Sequence, residues 1–448
     1  MKDSEENTTG VDAGLSDAVQ LALEEAGGHG ASSSEAAASL SQGLSVNVRK
    51  SEIETVEHTR DRNLVVSVYF GQRTGSASTS DYSPAAVKET VLAACNIAKW
   101  TEEDRCIGLA DPERLAKDVM DLDLYHPWTP SVEEASSLAL ECEASALGAD
   151  ARIVNSEGAS VDAHQGVEVY GNSLGFIGHT QKSRQGISCS VIAGVGDSMQ
   201  RDYWYSSARR LGDLDTPVQV GDQAARRTLR RLGARRVPTC KVPVIYEAPV
   251  ASSLLGHFIS AISGGALYRK ASFLLDHLDK KIFPEFVRIH EQPLIVGGMG
   301  SAAFDGEGVA TSARDIVSDG ILRGYVLGSY SARRLDMQTT GNAGGVHNLT
   351  IDTGDQNLEQ MISGIDEGFL VTELIGFGIN NVTGDYSRGA AGLWIENGEI
   401  AYPVEEVTVA GNLKDIFQNI AAIGNDVDPR RSTRCGSILV EGLTIAGD

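Results

Sequence analysis

The run Thr383–Leu413, TGDYSRGAAGLWIENGEIAYPVEEVTVAGNL, limits what this chain can fold into more than any other stretch. Asn397-Gly398 stands between two β-prone runs, Leu393-Trp394-Ile395 and Glu399-Ile400-Ala401-Tyr402. Asn-Gly in that setting signals a tight hairpin, because both central turn positions need positive φ. Gly384-Asp385 and Gly389 are further turn points, Pro403 resets the chain, and Val407-Thr408-Val409 begins another strand. Backbone geometry is closely specified here, yet the run holds neither His nor Cys. It reads as a shaped surface rather than a reactive centre.

The 448 residues suggest two or three domains. With 38 basic and 61 acidic residues the formal charge is −23. Such a field repels a phosphate backbone, so no nucleic-acid partner is expected. The basic cluster Arg226, Arg227, Arg230, Arg231, Arg235 and Arg236 reads as a solvated helix face. Cys95, Cys106, Cys142, Cys189, Cys240 and Cys435 show no CxxC spacing, which fits free thiols in a reducing compartment. The opening MKDSEENTTG has no apolar core of the kind a signal peptide needs, and no window is apolar enough to span a bilayer. No membrane association and a cytoplasmic location are the expectations.

Residues 1–12 read as a disordered tail, 13–236 as an N-terminal α+β domain, and 237–448 as a β-rich C-terminal domain. Residues 14–26 have helical spacing of apolar positions. Strands are expected at 44–49, 53–58, 64–70 and 75–79, followed by a helix that Ser83-Pro84 starts. A helix capped by Ser131 follows, with Glu134 at the capping-box position. Strands near 152–156, 160–170, 174–180, 186–195 and 199–206 come next, then a helix over 221–232. Helix, antiparallel strands, helix thus recurs, which suggests a duplicated unit. Beyond 236, helices are expected at 251–262, 356–364 and 413–423 among strands and glycine-rich turns. Segregated helices and strands give an α+β class with antiparallel sheets.

Residues able to do chemistry are sparse. Gly171-Asn172-Ser173-Leu174-Gly175 matches G-x-S-x-G, but strand-like flanks make it a hairpin turn rather than a nucleophile elbow. Gly297-Gly298-Met299-Gly300 lacks the Lys-Ser/Thr ending of a phosphate loop. His290-Glu291 is followed by Pro293, which excludes a helical zinc motif there. His257 lies off the apolar stripe Leu254, Leu255, Phe258, Ile259, Ile262 and reads as a polar boundary residue. Cys435 reads as a small buried hydrophobe. The acidic run Phe304-Asp305-Gly306-Glu307-Gly308 reads as a turn before a strand, with a metal as the other possibility.

Several segments together resemble the TldD/PmbA family, and within it the PmbA (TldE) branch. They are GSASTSDYSP (75–84), Val169-Tyr170-Gly171-Asn172-Ser173, GHFISAISGGALYRKASFLLD (256–276), FDGEGV (304–309), SYSARRL (329–335), TTGNAGGVHN (339–348), the run at 383–413, and Arg434-Cys435-Gly436-Ser437. The resemblance implies a cytoplasmic heterodimeric metallopeptidase that removes leader peptides or degrades unfolded small proteins. In that family a TldD-type subunit carries HExxxH and a Cys, which hold zinc. Aligned to that motif, this chain has Gly256 and Ala261 at the two His positions and His257 at the Glu position, with Cys435 as a remnant of the third ligand. The resemblance therefore implies no catalytic residue, no metal and no cofactor in this subunit, and zinc in its TldD-type partner. The subunit would close a chamber and help bind extended peptides through exposed strand edges. Two other readings stay open: a non-enzymatic regulatory homodimer of gyrase-modulator type, and an independent hydrolase using His257 and Cys435.

Overall fold

The computed structural model describes the backbone of residues 2–447, with side chains described from residue 13 onward except Asp197. The disordered tail expected over 1–12 is replaced by helix from Lys2 onward, the first part of α1. The chain opens with α1 (Lys2–Gly28), β1 (Ser33–Arg49), β2 (Glu52–Phe70), β3 (Arg73–Thr79) and α2 (Pro84–Trp100). After a connection over 101–131 come α3 (Val132–Gly148), β4 (Ile153–Asn172), β5 (Ile177–Ala193), β6 (Gln200–Ala208) and α4 (Pro217–Leu229). The six strands form one antiparallel sheet in the order β3-β2-β1-β4-β5-β6.

Alternation along β1 decides which face carries the helices. Ala36, Ala38 and Leu40 pack with α1 and α2, and Leu44, Val46 and Val48 pack with α3 and α4. All six positions share one parity, so the four helices cover one face of the sheet. Strand β1 starts eleven residues earlier than the expected 44–49, because its first half is built from Ala, Ser and Gln rather than β-branched residues. Its small side chains bring α1 close to the sheet. Expected strand pairs are also merged: β4 and β5 are each continuous across the predicted gaps. The G-x-S-x-G segment is the β4–β5 turn, with Gly175 at φ +92° and Ser173 Oγ accepting the Ser34 N–H at 3.0 Å.

The C-terminal half contains β7 (Cys240–Tyr246), α5 (Ala248–Ala261), α6 (Gly264–Tyr268), β8 (Ile289–Glu291), β9 (Arg314–Ser318), β10 (Ile321–Leu322), α7 (Ser329–Arg334), β11 (Leu349–Ile351) and α8 (Leu358–Ser363). These precede β12 (Glu367–Ile375), β13 (Asp385–Glu396), β14 (Glu399–Asn412), α9 (Leu413–Gln418), β15 (Ile420–Ile423), β16 (Thr433–Arg434) and β17 (Ile438–Ala446). One sheet has the order β14-β13-β12-β7-β17-β15, and pairing of β14 with β17 closes it on itself. The other has the order β10-β9-β8-β11-β16. Both are mixed, since β7 runs parallel to β12 and β11 parallel to β16, which corrects the expectation of purely antiparallel sheets. The helix expected over 413–423 stops at Gln418 and turns into β15, because Ile420 and Ile423 pair with β17. Helix α5 buries Leu254, Leu255 and Phe258 in the core that these sheets share.

The two halves are joined through the helix-free face of the first sheet. Tyr170 and Phe176 pack there with Leu115 and Val309. The connection runs as a strap over the joint: Ala116 N–H donates to Gly308 O and Ala310 N–H to Arg114 O, each at 2.9 Å.

Candidate functional site

The arginine-rich end of α4 meets the start of α5. Arg227 is only 6% exposed, which overturns the expected solvated face. Its guanidinium donates to Glu247 Oε2 at 2.9 Å and lies 3.3 Å from Asp202 Oδ2. Arg230 donates to both Glu247 oxygens at 3.0 and 3.1 Å, and Arg231 pairs with Glu373. The helical period lets one helix end reach three elements: β6 through Asp202, α5 through Glu247 and β12 through Glu373. Burial raises the Glu247 pKa, and the charges of Arg230 and Arg227 more than reverse that, leaving it below its ordinary value.

Above this network lies a groove between β6 and α5. Trp204 and Tyr205 come from β6, and the Arg430 guanidinium lies 3.8 and 4.3 Å from their ring centres. Asp428 holds Arg430 through two bonds of 2.7 and 2.8 Å, and Arg430 Nη1 donates to Tyr205 O at 2.8 Å. Three cavities of about 730, 500 and 240 Å³ share Arg430 as a wall. Together they are large enough for a short extended segment of another chain.

The four residues singled out by sequence do not converge. Gly256 is exposed and His257 half-buried, whereas Ala261 is fully buried in the core. On one continuous helix, Gly256 and Ala261 therefore face different surroundings. Cys435 Sγ lies 3.9 Å from Ala248 O, at the other end of α5. Eight residues separate Ala248 from Gly256, about 12 Å of helix. Burial, with the nearby Asp428 and Asp426 charges, pushes the Cys435 thiol up to about 12, so it stays protonated near neutral pH. The His257 imidazole packs edge-on against Tyr386 at 6.1 Å, and its Nε2 has no hydrogen-bond partner among the described residues. Burial, then the Arg388 charge, lowers its pKa and keeps it neutral.

A zinc site of the family type does not fit this donor set. Gly256 and Ala261 carry no ligating atom, and Cys435 is a sealed thiol. Among the described residues no group of three or more His, Cys, Asp or Glu could hold a metal ion. Asp305 accepts the N–H groups of Glu307, Val309 and Ala343 at 2.8–3.0 Å and so builds a turn. His290 stands on β8 and pairs with Asp352 at 2.9 Å.

Fold and groove define a two-part α+β protein with a cleft between β6 of an antiparallel sheet and α5 of the half that holds the closed, mixed one. Residues 35–98, 125–232 and 239–447 match, in turn, domain 1, the central domain and the C-terminal domain of the PmbA/TldA metallopeptidases. The chain belongs to the PmbA/TldD metallopeptidase family. It is 49% identical to metalloprotease PmbA of Escherichia coli O157:H7, over 97% of this chain and 96% of that protein. Its identity to the PmbA homologue of Haemophilus influenzae is 47%, over 97% and 96%. Among solved structures, a putative modulator of DNA gyrase from Bacteroides thetaiotaomicron superposes with a TM-score of 0.91 at 30% identity, covering 97% of this chain and 99% of that one. TldE from Thermococcus kodakarensis shares the fold, with a TM-score of 0.83 at 20% identity over 97% and 100%. Among the described residues, no helix is long and apolar enough to cross a membrane.

Sequence reasoning missed the groove residues Trp204, Tyr205, Arg388, Arg430 and Arg431. One signal was available: Arg430-Arg431 lies two residues before the recognised Arg434-Cys435-Gly436-Ser437 segment.

Proposed function

We propose that this chain is the metal-free subunit of a cytoplasmic TldD/TldE-type metallopeptidase complex. It pairs with a TldD-type partner that holds the zinc, closes the substrate chamber, and binds extended peptides in the groove between β6 and α5. Leader peptides and unfolded small proteins are the substrate class that the family resemblance implies, and the groove has room for a short extended segment. The observation that carries this reading is the contrast along α5. Its ligand positions lack donor atoms, while the groove beside it is built from a held arginine and two aromatic rings. The second reading rests on the likeness to the putative modulator of DNA gyrase from Bacteroides thetaiotaomicron: a non-enzymatic homodimer that regulates a protein target.

Expressing the chain alone and with a TldD-type subunit separates the two. We expect no stoichiometric metal and no cleavage of an unstructured peptide by the chain alone, and cleavage by the complex. Cys435→Ala should leave the complex assembled and active. Metal-dependent cleavage by the isolated chain would sink the proposal. Absence of any complex, with no effect on the partner's activity, would favour the regulatory homodimer.

A further inference from the structure

The largest cavity of the groove mixes both signs, with Asp123, Asp213, Asp215, Asp426 and Asp428 among its walls, but in the two smaller ones the charges do not balance. The 500 Å³ cavity is lined by Arg184, Arg430 and Arg431, with Tyr205, Ser252 and Ser253, and by no carboxylate. The adjoining 240 Å³ cavity adds Arg388, and its carboxylates are already engaged: Asp202 by Arg227, Glu373 by Arg231 and Arg201. Arg430 is held by Asp428. Among the described residues, Arg184, Arg388 and Arg431 form no ion pair within 4 Å, and the one acidic charge acting on Arg431, Asp428, is already held by Arg430. Arg184 Nε donates to the Ser207 hydroxyl at 2.8 Å, and Arg431 donates to the Tyr205 hydroxyl at 2.9 Å and to Ser252 Oγ at 3.5 Å.

A second observation lies on the same wall. Among the described residues, Arg388 Nε and Ser253 Oγ are buried without a hydrogen-bond partner, and so is His257 Nε2 beside them. Buried donors without acceptors are costly, and gathering like charges there adds to the cost. In a chain of net charge −23 the overall field repels anions, so a local excess of guanidinium groups is a built feature. Planar guanidinium forks match a carboxylate through paired, charge-assisted hydrogen bonds.

Resting on the peptide-binding reading above, we propose that Arg388 and Arg431, with Arg184 at the outer end, form a subsite for a carboxylate of the bound peptide. That carboxylate belongs either to the chain's C-terminus or to an acidic side chain. Ser253 Oγ supplies an additional donor.

The test uses the full-length chain and a labelled, unstructured peptide in three forms: free C-terminal carboxylate, C-terminal amide, and amide with one internal Glu. Fluorescence anisotropy at low salt reads the affinity of each. One carboxylate form should bind about tenfold more tightly than the plain amide, and whichever does identifies the source. R388Q and R431Q should each bring the affinity of the favoured carboxylate form down to near that of the plain amide measured on the same variant. Arg431 is exposed, so R431Q tests the inference even if R388Q fails to fold. Equal affinity for all three peptides overturns the carboxylate subsite and leaves peptide binding standing. Failure of all three to bind removes both.

Discussion

At the scale of single residues, Glu247 connects the two halves of the molecule. It is 8% exposed and receives three guanidinium bonds from Arg227 and Arg230. Removing one partner of a buried ion pair leaves the other charge uncompensated, so Glu247→Ala should cost about 3–5 kcal/mol. Its folded pKa lies below the ordinary 4.5, because the two arginines outweigh burial. The unfolded chain therefore takes up the proton first as pH falls. The stabilisation is present above about 4.5 and is lost as pH drops through the lower folded value. Urea midpoints measured from neutral pH into the acid range should show this fall in the native chain. Glu247→Gln should show a lower midpoint and less acid dependence. An equal acid slope in both proteins would mean that other carboxylates govern it. Cys435 is the opposite case: its sequence context looks like a ligand, but at 1% exposure it acts as part of the core.

At the scale of elements, the hairpin between β13 and β14 carries out what its sequence dictates. Asn397 and Gly398 have φ of 52° and 79°, and Glu396 pairs with Glu399 across the turn. A Cβ at Gly398 would sit 2.9 Å from Ser363 O, in a conformation that L side chains rarely adopt. Gly398→Ala should therefore destabilise by about 1–2 kcal/mol, read as a lowered thermal midpoint. A neutral effect would mean that the turn relaxes freely. Gly392 in the same run serves packing instead: a Cβ there would lie 1.9 Å from Leu370 O on β12. The helices and the hairpin were legible because caps and turn residues act locally, as Ser83 accepting the Ala86 N–H shows. The first half of β1 was not, since Ala and Ser carry little strand preference and its pairing with β2 and β4 supplies the order.

Over the whole molecule, buried arginines fasten parts that sequence places far apart. Arg209, just past β6, donates to Gly298 O at 3.0 and 3.1 Å, to Met299 O at 2.9 Å and to Ser183 O at 3.1 Å. Arg209→Ala strips these carbonyls of their donor and should cost at least about 2 kcal/mol. Limited proteolysis should then cut faster near Gly297–Gly300, and an unchanged cleavage pattern would show that the two halves hold without it. The sequence by itself determined the α+β class, the main helices, the Asn-Gly hairpin and the family, because these rest on local periodicity, turn chemistry and motif identity. Tertiary structure alone decided that Arg227 is buried, that Cys435 is remote from Gly256 along α5, and that Arg388, Arg430 and Arg431 share one groove. Burial and charge balance depend on which distant segments meet, and a one-dimensional pattern does not encode that.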